Sequence, residues 1–286
     1  MFQTIGILSK LDPSAVATAV PALRGWLTAR KLRVLVENAT ASCAGLPEQG
    51  VPAEEFAREI DLAIVLGGDG TLLSAARLLH ARQLPILGVN LGSLGFLASV
   101  GLDDLYVQVE AVLRQEYDTS SRMMLEASVL REGRILHNGF ALNEAVVNQA
   151  ALARLMDFNV FVDGSQIGRY RADGIIVATP TGSTAYSLAA GGPIVHPDLQ
   201  AFLITPICPH MLTHRPIVIP DSSRVEIESS PGAEPLRLTL DGQMEFGLQH
   251  GDLVSIRKSA NGVLLISPRG RSYYEVLRGK LGWVGR

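Results

Sequence analysis

The stretch Gly67-Gly68-Asp69-Gly70-Thr71 combines residue types that phosphate chemistry uses. It follows the apolar run 62–66 and precedes the amphipathic run 72–79. This pattern predicts a buried strand, a tight glycine turn and a helix, so that backbone N–H groups and the helix N-terminus could hold a phosphate. A carboxylate would repel phosphate and therefore needs another task, which is to accept a proton from a hydroxyl. The turn therefore indicates phosphoryl transfer to an alcohol.

A purely structural interpretation of the glycine stretches stays open. In residues 67–71 the glycines could simply adopt positive φ angles, and Asp69 could cap the helix. A second stretch, residues 90–96, follows the apolar run 85–89, and its glycine spacing is not that of a dinucleotide fingerprint. It predicts either a second loop lining the same crevice or an ordinary loop with Phe96 in the core.

A hydroxyl-rich stretch surrounds Gly182. It follows the apolar run 175–178 and precedes Gly191-Gly192, so we expect a strand, a turn and a short helix that ends in glycine. Uncharged hydroxyls suit sugar and phosphate oxygens, although one of them could simply cap the helix. The five hydroxyl side chains are Thr179, Thr181, Ser183, Thr184 and Tyr186. The predicted caps are Ser183 or Thr184.

Two further polar clusters border apolar runs. Asn143-Glu144 could hold two adjacent ribose hydroxyls or could be a surface turn. Residues 169–174 offer two arginines for phosphate, Arg171 among them, and Asp173 for an amide or amine donor, or else form a solvated charge cluster. The turn 240–243 supports no ligand role by itself.

Strands that alternate with helices predict a doubly wound parallel sheet in the first part of the chain. In such sheets, ligands bind at the carboxyl ends of strands, where residues 67–71 and 90–96 both lie. The expected strands are 4–9, 32–36, 64–66 and 85–89. The expected helices run from 12–13 to about 30 with a kink at Pro21, from 52 to 60 and from 102 to 115.

From about residue 120, short alternating runs separated by turn dipeptides predict an antiparallel sandwich. We assign 263–266 to these runs. The predicted fold class is therefore an α/β, doubly wound, Rossmann-like N-terminal domain over residues 1–119 and an all-β, sandwich-like domain over residues 120–267. Residues 268–286 are less β-like and are expected to pack elsewhere as a tail.

Composition limits the partners. The 286-residue chain is 47% hydrophobic with a net charge of -3, which does not favour nucleic acid or an anionic membrane. Its apolar runs are too short to span a membrane, its N-terminus lacks the pattern of a signal peptide, and two cysteines make no disulfide framework. We expect a soluble, cytoplasmic protein. No zinc spacing is present, so any metal is expected to be Mg²⁺ carried by a nucleotide.

Together these motifs resemble the bacterial NAD kinase family. The Gly-Gly-Asp-Gly motif alone is shared with diacylglycerol-type lipid kinases and phosphofructokinases, whereas the hydroxyl-rich stretch joined to Asn143-Glu144 is more specific. The match spans nearly the whole chain in the expected order. The matching segments are residues 67–71, 90–96, 143–144, 173–174, 179–193, 240–243 and 273–283.

The resemblance implies transfer of the γ-phosphate of ATP to the 2′-hydroxyl of the adenosine ribose of NAD, giving NADP. It implies that Asp69 activates this hydroxyl. The phosphate-loop residues would be Gly67, Gly68, Gly70 and Thr71. The NAD-contacting residues would be Asn143, Glu144, Asp173, Thr184, Ala185 and Tyr186, with Thr181, Ser183 and Gln243 in matching motifs, Phe96 as an apolar wall and Arg171 near phosphates. Ala189 is a mild departure, since relatives often have serine there.

The resemblance also implies an arrangement and partners. The site would lie between the two domains, and the chain end would return to the first domain. ATP would bring a divalent cation, with no tightly bound organic cofactor and no metal ligands from the protein. Family members are homo-oligomers, so a homotetramer or a dimer is expected.

Two functions other than NAD phosphorylation stay open. A lipid kinase would share the glycine motif but would favour a membrane-facing surface. A non-catalytic NAD(P)-binding sensor, or an oxidoreductase, would bind NAD without consuming ATP. A hydride-transfer enzyme usually has Gly-x-Gly-x-x-Gly after the first strand, where residues 9–13 show no such pattern.

Overall fold

The structure is a computed structural model that describes residues 2–92, 95–98, 100–149, 156–211, 213–229, 236–270 and 272–283. The chain separates into two compact units. One comprises residues 1–121 and 263–286, and the other comprises residues 122–262.

The first unit is built on one sheet, sheet A, with helices in the connections. Its strands are β1 Thr4–Ser9, β2 Arg33–Glu37, β3 Gly50–Val51, β4 Leu62–Leu66, β5 Pro85–Asn90, β6 Val100–Gly101, β7 Asp118–Arg122 and β20 Val263–Ser267. Its helices are α1 Pro13–Val16, α2 Ala19–Ala29, α3 Asn38–Cys43, α4 Ala53–Glu59, α5 Asp69–Leu79, α6 Leu105–Leu113 and α8 Tyr273–Leu281.

The order of the strands places a ligand crevice in sheet A. The order is β3-β2-β1-β4-β5-β20-β7, with β6 beside β5. Strands β1 and β4 are parallel neighbours, and the chain leaves β1 towards β2 but leaves β4 towards β5. This reversal is a topological switch point, where open α/β sheets bind ligands at the carboxyl ends of the strands.

Two features of the helices differ from the prediction. The expected kink at Pro21 is wrong, because the break falls between α1 and α2, and Pro21 sits in the first turn of α2, where proline is tolerated. Helix α3 was missed within a segment rich in Ala and Gly. The side chain of Glu37 caps it by accepting the N–H groups of Ala39 and Thr40, both at 3.0 Å.

The assignment of residues 263–266 to the sandwich is wrong. They form β20, which lies parallel to β5 with Leu264 opposite Pro85. The run Val-Leu-Leu-Ile is continuous rather than alternating, which is typical of a strand buried on both faces in a parallel sheet. The domain limit at 119 stays a prediction.

The second unit contains two antiparallel sheets that share one core. Sheet B has the order β12-β11-β16-β19-β8-β9, and sheet C has the order β15-β14-β13-β10-β17-β18. The strands are β8 Leu125–Arg131, β9 Arg134–Ala141, β10 Glu144–Gln149, β11 Met156–Val162, β12 Ser165–Ala172, β13 Gly174–Ala178, β14 Ala201–Ile207, β15 Ile217–Pro220, β16 Val225–Ser229, β17 Leu236–Leu240, β18 Met244–Leu248 and β19 Leu253–Lys258. One short helix, α7 Tyr186–Ala189, follows β13.

The core of the second unit is the contact between the inner faces of sheets B and C. Phe158 of β11 and Phe202 of β14 are both fully buried in the same apolar cluster. Alternating inward residues on two antiparallel sheets define a sandwich. The predicted α/β plus β-sandwich fold class is confirmed.

None of the helices in the described ranges is long and apolar enough to cross a membrane.

Replacing Phe158 by Ala is expected to destabilise the second unit by about 3–5 kcal/mol, because the substitution leaves a cavity in a close-packed core. Ile135→Ala is the control in the same unit, since Ile135 is 64% exposed, and its effect should stay within about 0.5 kcal/mol. Urea unfolding measures both. Equal effects of the two substitutions would contradict the assigned core.

Candidate functional site

The predicted strand, turn and helix at residues 62–79 are confirmed. Strand β4 ends at Leu66, Gly68 is the N-cap residue in extended backbone (φ -86°, ψ -171°), and α5 begins at Asp69. A Cβ on Gly67 would lie 2.3 Å from Oγ1 of Thr71, so the tight turn requires glycine there. The carboxyl end of a central strand thus meets the N-terminus of an eleven-residue helix.

Asp69 does not cap its own helix, contrary to the simpler interpretation. Its Oδ2 accepts the N–H of Phe96 at 2.9 Å, and its Oδ1 accepts the N–H groups of Leu97 and Ala98, both at 3.1 Å. The side chain therefore holds the loop that follows β5. A Cβ on Gly95 would lie 2.0 Å from Oδ1, so the carboxylate occupies space that only glycine leaves open.

The carboxylate of Asp69 keeps acceptor capacity. An ionised carboxyl group offers about four lone-pair positions, and three are used by these N–H groups. Within the described ranges, the remaining position is on Oδ2, and the residue is only partly buried. Asp69 can thus be fixed by the loop and still accept one hydrogen bond from a hydroxyl.

A crevice of about 380 Å³ opens beside this turn at the switch point between β1 and β4. Its charged lining residues are Lys10, which pairs with Asp12 at 3.3 Å, and Glu37. The other lining residues are Leu8, Ser9, Leu11, Ala39, Thr40, Gly70, Thr71, Ser74, Ala75 and Leu78. Sequence reasoning missed Lys10 and Glu37. Their signal was position, because Lys10 follows β1 and Glu37 ends β2, and parallel strands end at one edge of a sheet.

Glu144 is a buried acid at the start of β10. It is 6% exposed, and within the described residues its Oε2 has no hydrogen-bond partner. Burial, and then the charge of Asp241, raise the pKa of Glu144 from an ordinary 4.5 to about 8, while the N–H of Tyr186 opposes the rise. Glu144 therefore carries a proton at neutral pH and can donate a hydrogen bond.

Asn143 and the hydroxyl-rich stretch are brought together. The N–H of Thr179 donates to the carbonyl of Asn143 at 2.8 Å, and its Oγ1 donates to the carbonyl of Leu142 at 2.6 Å. A Cβ on Gly182 would lie 2.2 Å from the carbonyl oxygen of Asn143. Residues 143–144 and 181–186 are predicted to contact NAD, and they thus form one cluster within the second unit.

The five hydroxyls have different roles. Ser183 is fully buried, and its Oγ lies 2.7 Å from the carbonyl of Pro180 and accepts the N–H of Val195 at 3.0 Å. The side chain of Ser183 is thus used in the scaffold, and its contact with a ligand stays a prediction. Neither Ser183 nor Thr184 caps α7, which begins after Ala185 without a side-chain cap. Oγ1 of Thr181 is buried and has no partner among the described residues.

The other predicted residues lie at exposed or partly exposed positions. Arg171 is exposed near the end of β12, and Asp173 is exposed before β13, where its N–H donates to the carbonyl of Ile207 at 2.9 Å. Gln243 is exposed in the β17–β18 turn. Ala185, Thr184 and Phe96 are partly buried, and Tyr186 and Ala189 are exposed. Ser93 and Leu94, within the glycine stretch 90–96, lie outside the described residues.

No group of three or more His, Cys, Asp or Glu side chains that could hold a metal ion is found in the described part of the chain.

Two family models match the chain, one in its N-terminal part and one in its C-terminal part. The ATP-NAD kinase N-terminal domain matches residues 5–117, and the ATP-NAD kinase C-terminal domain matches residues 142–268. The chain belongs to the NAD kinase family. The NAD kinase of Geobacter metallireducens is 48% identical over 284 residues, covering 99% of this chain and all of the relative. The NAD kinase of Solibacter usitatus is 42% identical over 286 residues, covering 100% of this chain and 99% of the relative.

Solved structures of NAD kinase family members share the fold. Yeast NADH kinase complexed with NADH has a TM-score of 0.89 and 27% identity, covering 99% of this chain and 89% of that chain. An NAD kinase from Archaeoglobus fulgidus in complex with ATP has a TM-score of 0.79 and 26% identity, covering 99% of this chain and 100% of that chain.

The raised pKa of Glu144 predicts a stability change with pH. Between its ordinary pKa of 4.5 and its folded value of about 8, the folded chain binds a proton that the unfolded chain does not bind. The free energy of unfolding therefore falls as pH rises through this window. Glu144→Gln, which cannot ionise, should be more stable than the wild type by on the order of a few kcal/mol near pH 9, and this difference should shrink as pH falls and vanish below the ordinary pKa of 4.5.

Urea unfolding at several pH values measures this effect. Glu132→Gln is the control, because Glu132 is exposed in the β8–β9 turn and should show no comparable pH-dependent gain. A constant difference between Glu144→Gln and the wild type at every pH would contradict a protonated Glu144.

Proposed function

We propose that this chain catalyses phosphorylation of NAD by ATP, with transfer of the γ-phosphate to the 2′-hydroxyl of the adenosine ribose to give NADP and ADP. Membership of the NAD kinase family supports this activity. The observation that carries it is the carboxylate of Asp69, held by three backbone N–H groups at the N-terminus of α5 and, among the described residues, with one acceptor position left.

Asp69 is the proposed general base. The ribose hydroxyl donates its hydrogen bond to Oδ2 at about 2.6–3.2 Å and gives up its proton as its oxygen bonds to the γ-phosphorus. The bond from that phosphorus to the β-γ bridging oxygen breaks, and ADP leaves with the bonding electrons. Because the three N–H groups fix the carboxylate before substrate binds, little ordering is needed during reaction.

The glycine turn and the crevice are proposed to bind the donor. Backbone N–H groups at Gly68 and Gly70, with Thr71, would face the phosphates, and Mg²⁺ would arrive bound to ATP. Gly67 would shape the turn instead, because its N–H donates to the carbonyl of Val89 at 2.8 Å. The crevice offers Lys10 for a phosphate, Glu37 for ribose hydroxyls and apolar side chains for a base. Its volume of about 380 Å³ lies within the range of small-molecule pockets.

The second unit is proposed to bind NAD. Protonated Glu144 would donate to an acceptor atom of NAD, and the half-buried Asn143 would offer both a donor and an acceptor. The remaining proposed contacts are Phe96, Arg171, Asp173, Thr181, Ser183, Thr184, Ala185, Tyr186 and Gln243.

The finer properties implied by the family resemblance are proposals too. We propose a cytoplasmic homotetramer or dimer, with Mg²⁺ as the cation of ATP.

A donor-by-acceptor matrix tests the proposed function against its rivals. The purified chain is assayed with ATP, and with no donor, against NAD and against diacylglycerol. NADP formation that requires ATP supports the proposal. Phosphorylation of diacylglycerol alone would favour the lipid kinase, and NAD binding without any phosphate transfer would favour the sensor.

Asp69→Asn is expected to lower kcat by about 10²–10⁴-fold, because an amide cannot accept the proton. NADP formation measures the rate, and calorimetry measures NAD binding, which should persist. The matched control is Asp61→Asn in the same unit. The Asp61 carboxylate also accepts two backbone N–H groups, those of Gln3 and Thr4 at 2.9 Å.

The comparison separates a chemical role from a structural one. Asp61→Asn should keep nearly the full rate even where it lowers stability. A rate for Asp69→Asn close to that of the wild type would refute the base assignment.

A further inference from the structure

Asp241 is a buried acid that the proposed chemistry does not use. It lies in the turn between β17 and β18, is 6% exposed and has a φ of +50°. An Asp-Gly dipeptide between two strands indicates no more than a turn. In the structure, however, its backbone N–H donates to the carbonyl of Glu144 at 3.0 Å, so the turn packs against the proposed NAD-binding pair.

The side chain of Asp241 fixes the backbone of that pair. Oδ1 accepts the N–H of Asn143 at 2.8 Å and that of Glu144 at 3.2 Å, and Oδ2 accepts the N–H of Leu142 at 3.0 Å. These amides lie where the chain leaves β9 in sheet B and enters β10 in sheet C. At such a crossing strand pairing stops, so a side chain has to satisfy the buried N–H groups.

We propose that Asp241 is a positioning residue for acceptor binding, which holds Asn143 and Glu144 in place through these three backbone N–H groups. This inference rests on the proposed function, since it assumes that Asn143 and Glu144 bind NAD.

Asp241 also acts on Glu144 through its charge. A carboxylate that accepts several backbone N–H groups is stabilised as an anion. Its charge adds to burial in keeping Glu144 protonated, and the opposing group that faces Glu144 is the N–H of Tyr186, at the start of α7. Asp241 therefore holds the backbone of Glu144 and adds to burial in keeping its carboxyl group protonated.

Asp241→Asn tests this role with a side chain of nearly the same shape. Its NH₂ group would face at least one backbone N–H where an oxygen now accepts it. The KM for NAD should rise by about 10-fold to 100-fold, the equivalent of losing one charge-assisted hydrogen bond, while kcat changes little. NADP formation at varied NAD concentrations measures both constants.

The chain offers a matched control in Asp163→Asn. Asp163 also precedes glycine in a hairpin turn, also has a φ of +50°, and its Oδ1 also accepts a backbone N–H, that of Arg224 at 2.8 Å. It is exposed in the β11–β12 turn of sheet B. Its substitution should leave the KM for NAD unchanged.

A pH profile distinguishes positioning from general stability. In the wild type, the affinity for NAD should change near pH 8 as Glu144 titrates. In Asp241→Asn this transition should move to lower pH, because the negative charge that raises the pKa of Glu144 is gone. Asp241→Glu keeps the charge but displaces the carboxylate, so it should raise the KM and keep the transition near that of the wild type. It also replaces Asp241→Asn in the test where that variant does not fold.

The outcomes are separable. A wild-type chain that does not phosphorylate NAD overturns the proposed function and, with it, this role. An active wild type with the same KM and pH profile in Asp241→Asn and Asp163→Asn overturns the positioning role alone.

Discussion

The candidate site residues of each unit depend on the same kind of interaction. In it, a carboxylate accepts the backbone N–H groups of a loop from another part of the same unit. Asp69 holds residues 96–98 in the first unit, and Asp241 holds residues 142–144 in the second. Such loops leave regular pairing, and their N–H groups need partners if they are to stay buried. A carboxylate is suited to this because it only accepts hydrogen bonds and has several lone pairs.

The same interaction gives the neighbouring acids Asp241 and Glu144 different roles. Asp241 accepts three backbone N–H groups, whereas Glu144 beside it is buried with an oxygen that lacks a partner in the described residues. Burial of Glu144, and then the negative charge of Asp241, favour the protonated form of Glu144. The environment thus makes one acid a fixed acceptor and the other a donor, which sequence spacing cannot distinguish.

Sequence reasoning predicted well what depends on neighbours in the chain. The apolar run before Gly67 and the periodic run after Thr71 define a strand and a helix by themselves, and both are found. Residues 263–266 were misassigned because a short apolar run does not reveal its partner strand. The predicted helix cap at Ser183 was wrong for a related reason, since its hydroxyl bonds to Val195, twelve residues away, and not to helix α7.

The roles of three residues were not predicted, and the reason is the same for all three. Lys10, Glu37 and Asp241 each follow or end a strand, and each reaches the site only through the order of strands in a sheet. That order is decided by long-range packing, which a single sequence does not display. Asp241 was further hidden because an Asp-Gly pair already has a sufficient local explanation as a turn.

The fit between Asp69 and Gly95 shows how closely chemistry and backbone constrain each other. The carboxylate lies where a side chain on residue 95 would begin, at 2.0 Å from an ideal Cβ. A longer acid at position 69 would drive its oxygens into that backbone, and a larger residue at 95 would expel the carboxylate from the N–H groups. Either change alters the loop and the proposed base together. Gly95 therefore leaves the space that the Asp69 carboxylate needs. These two residues are 26 positions apart in the chain and meet because β4 and β5 are adjacent strands.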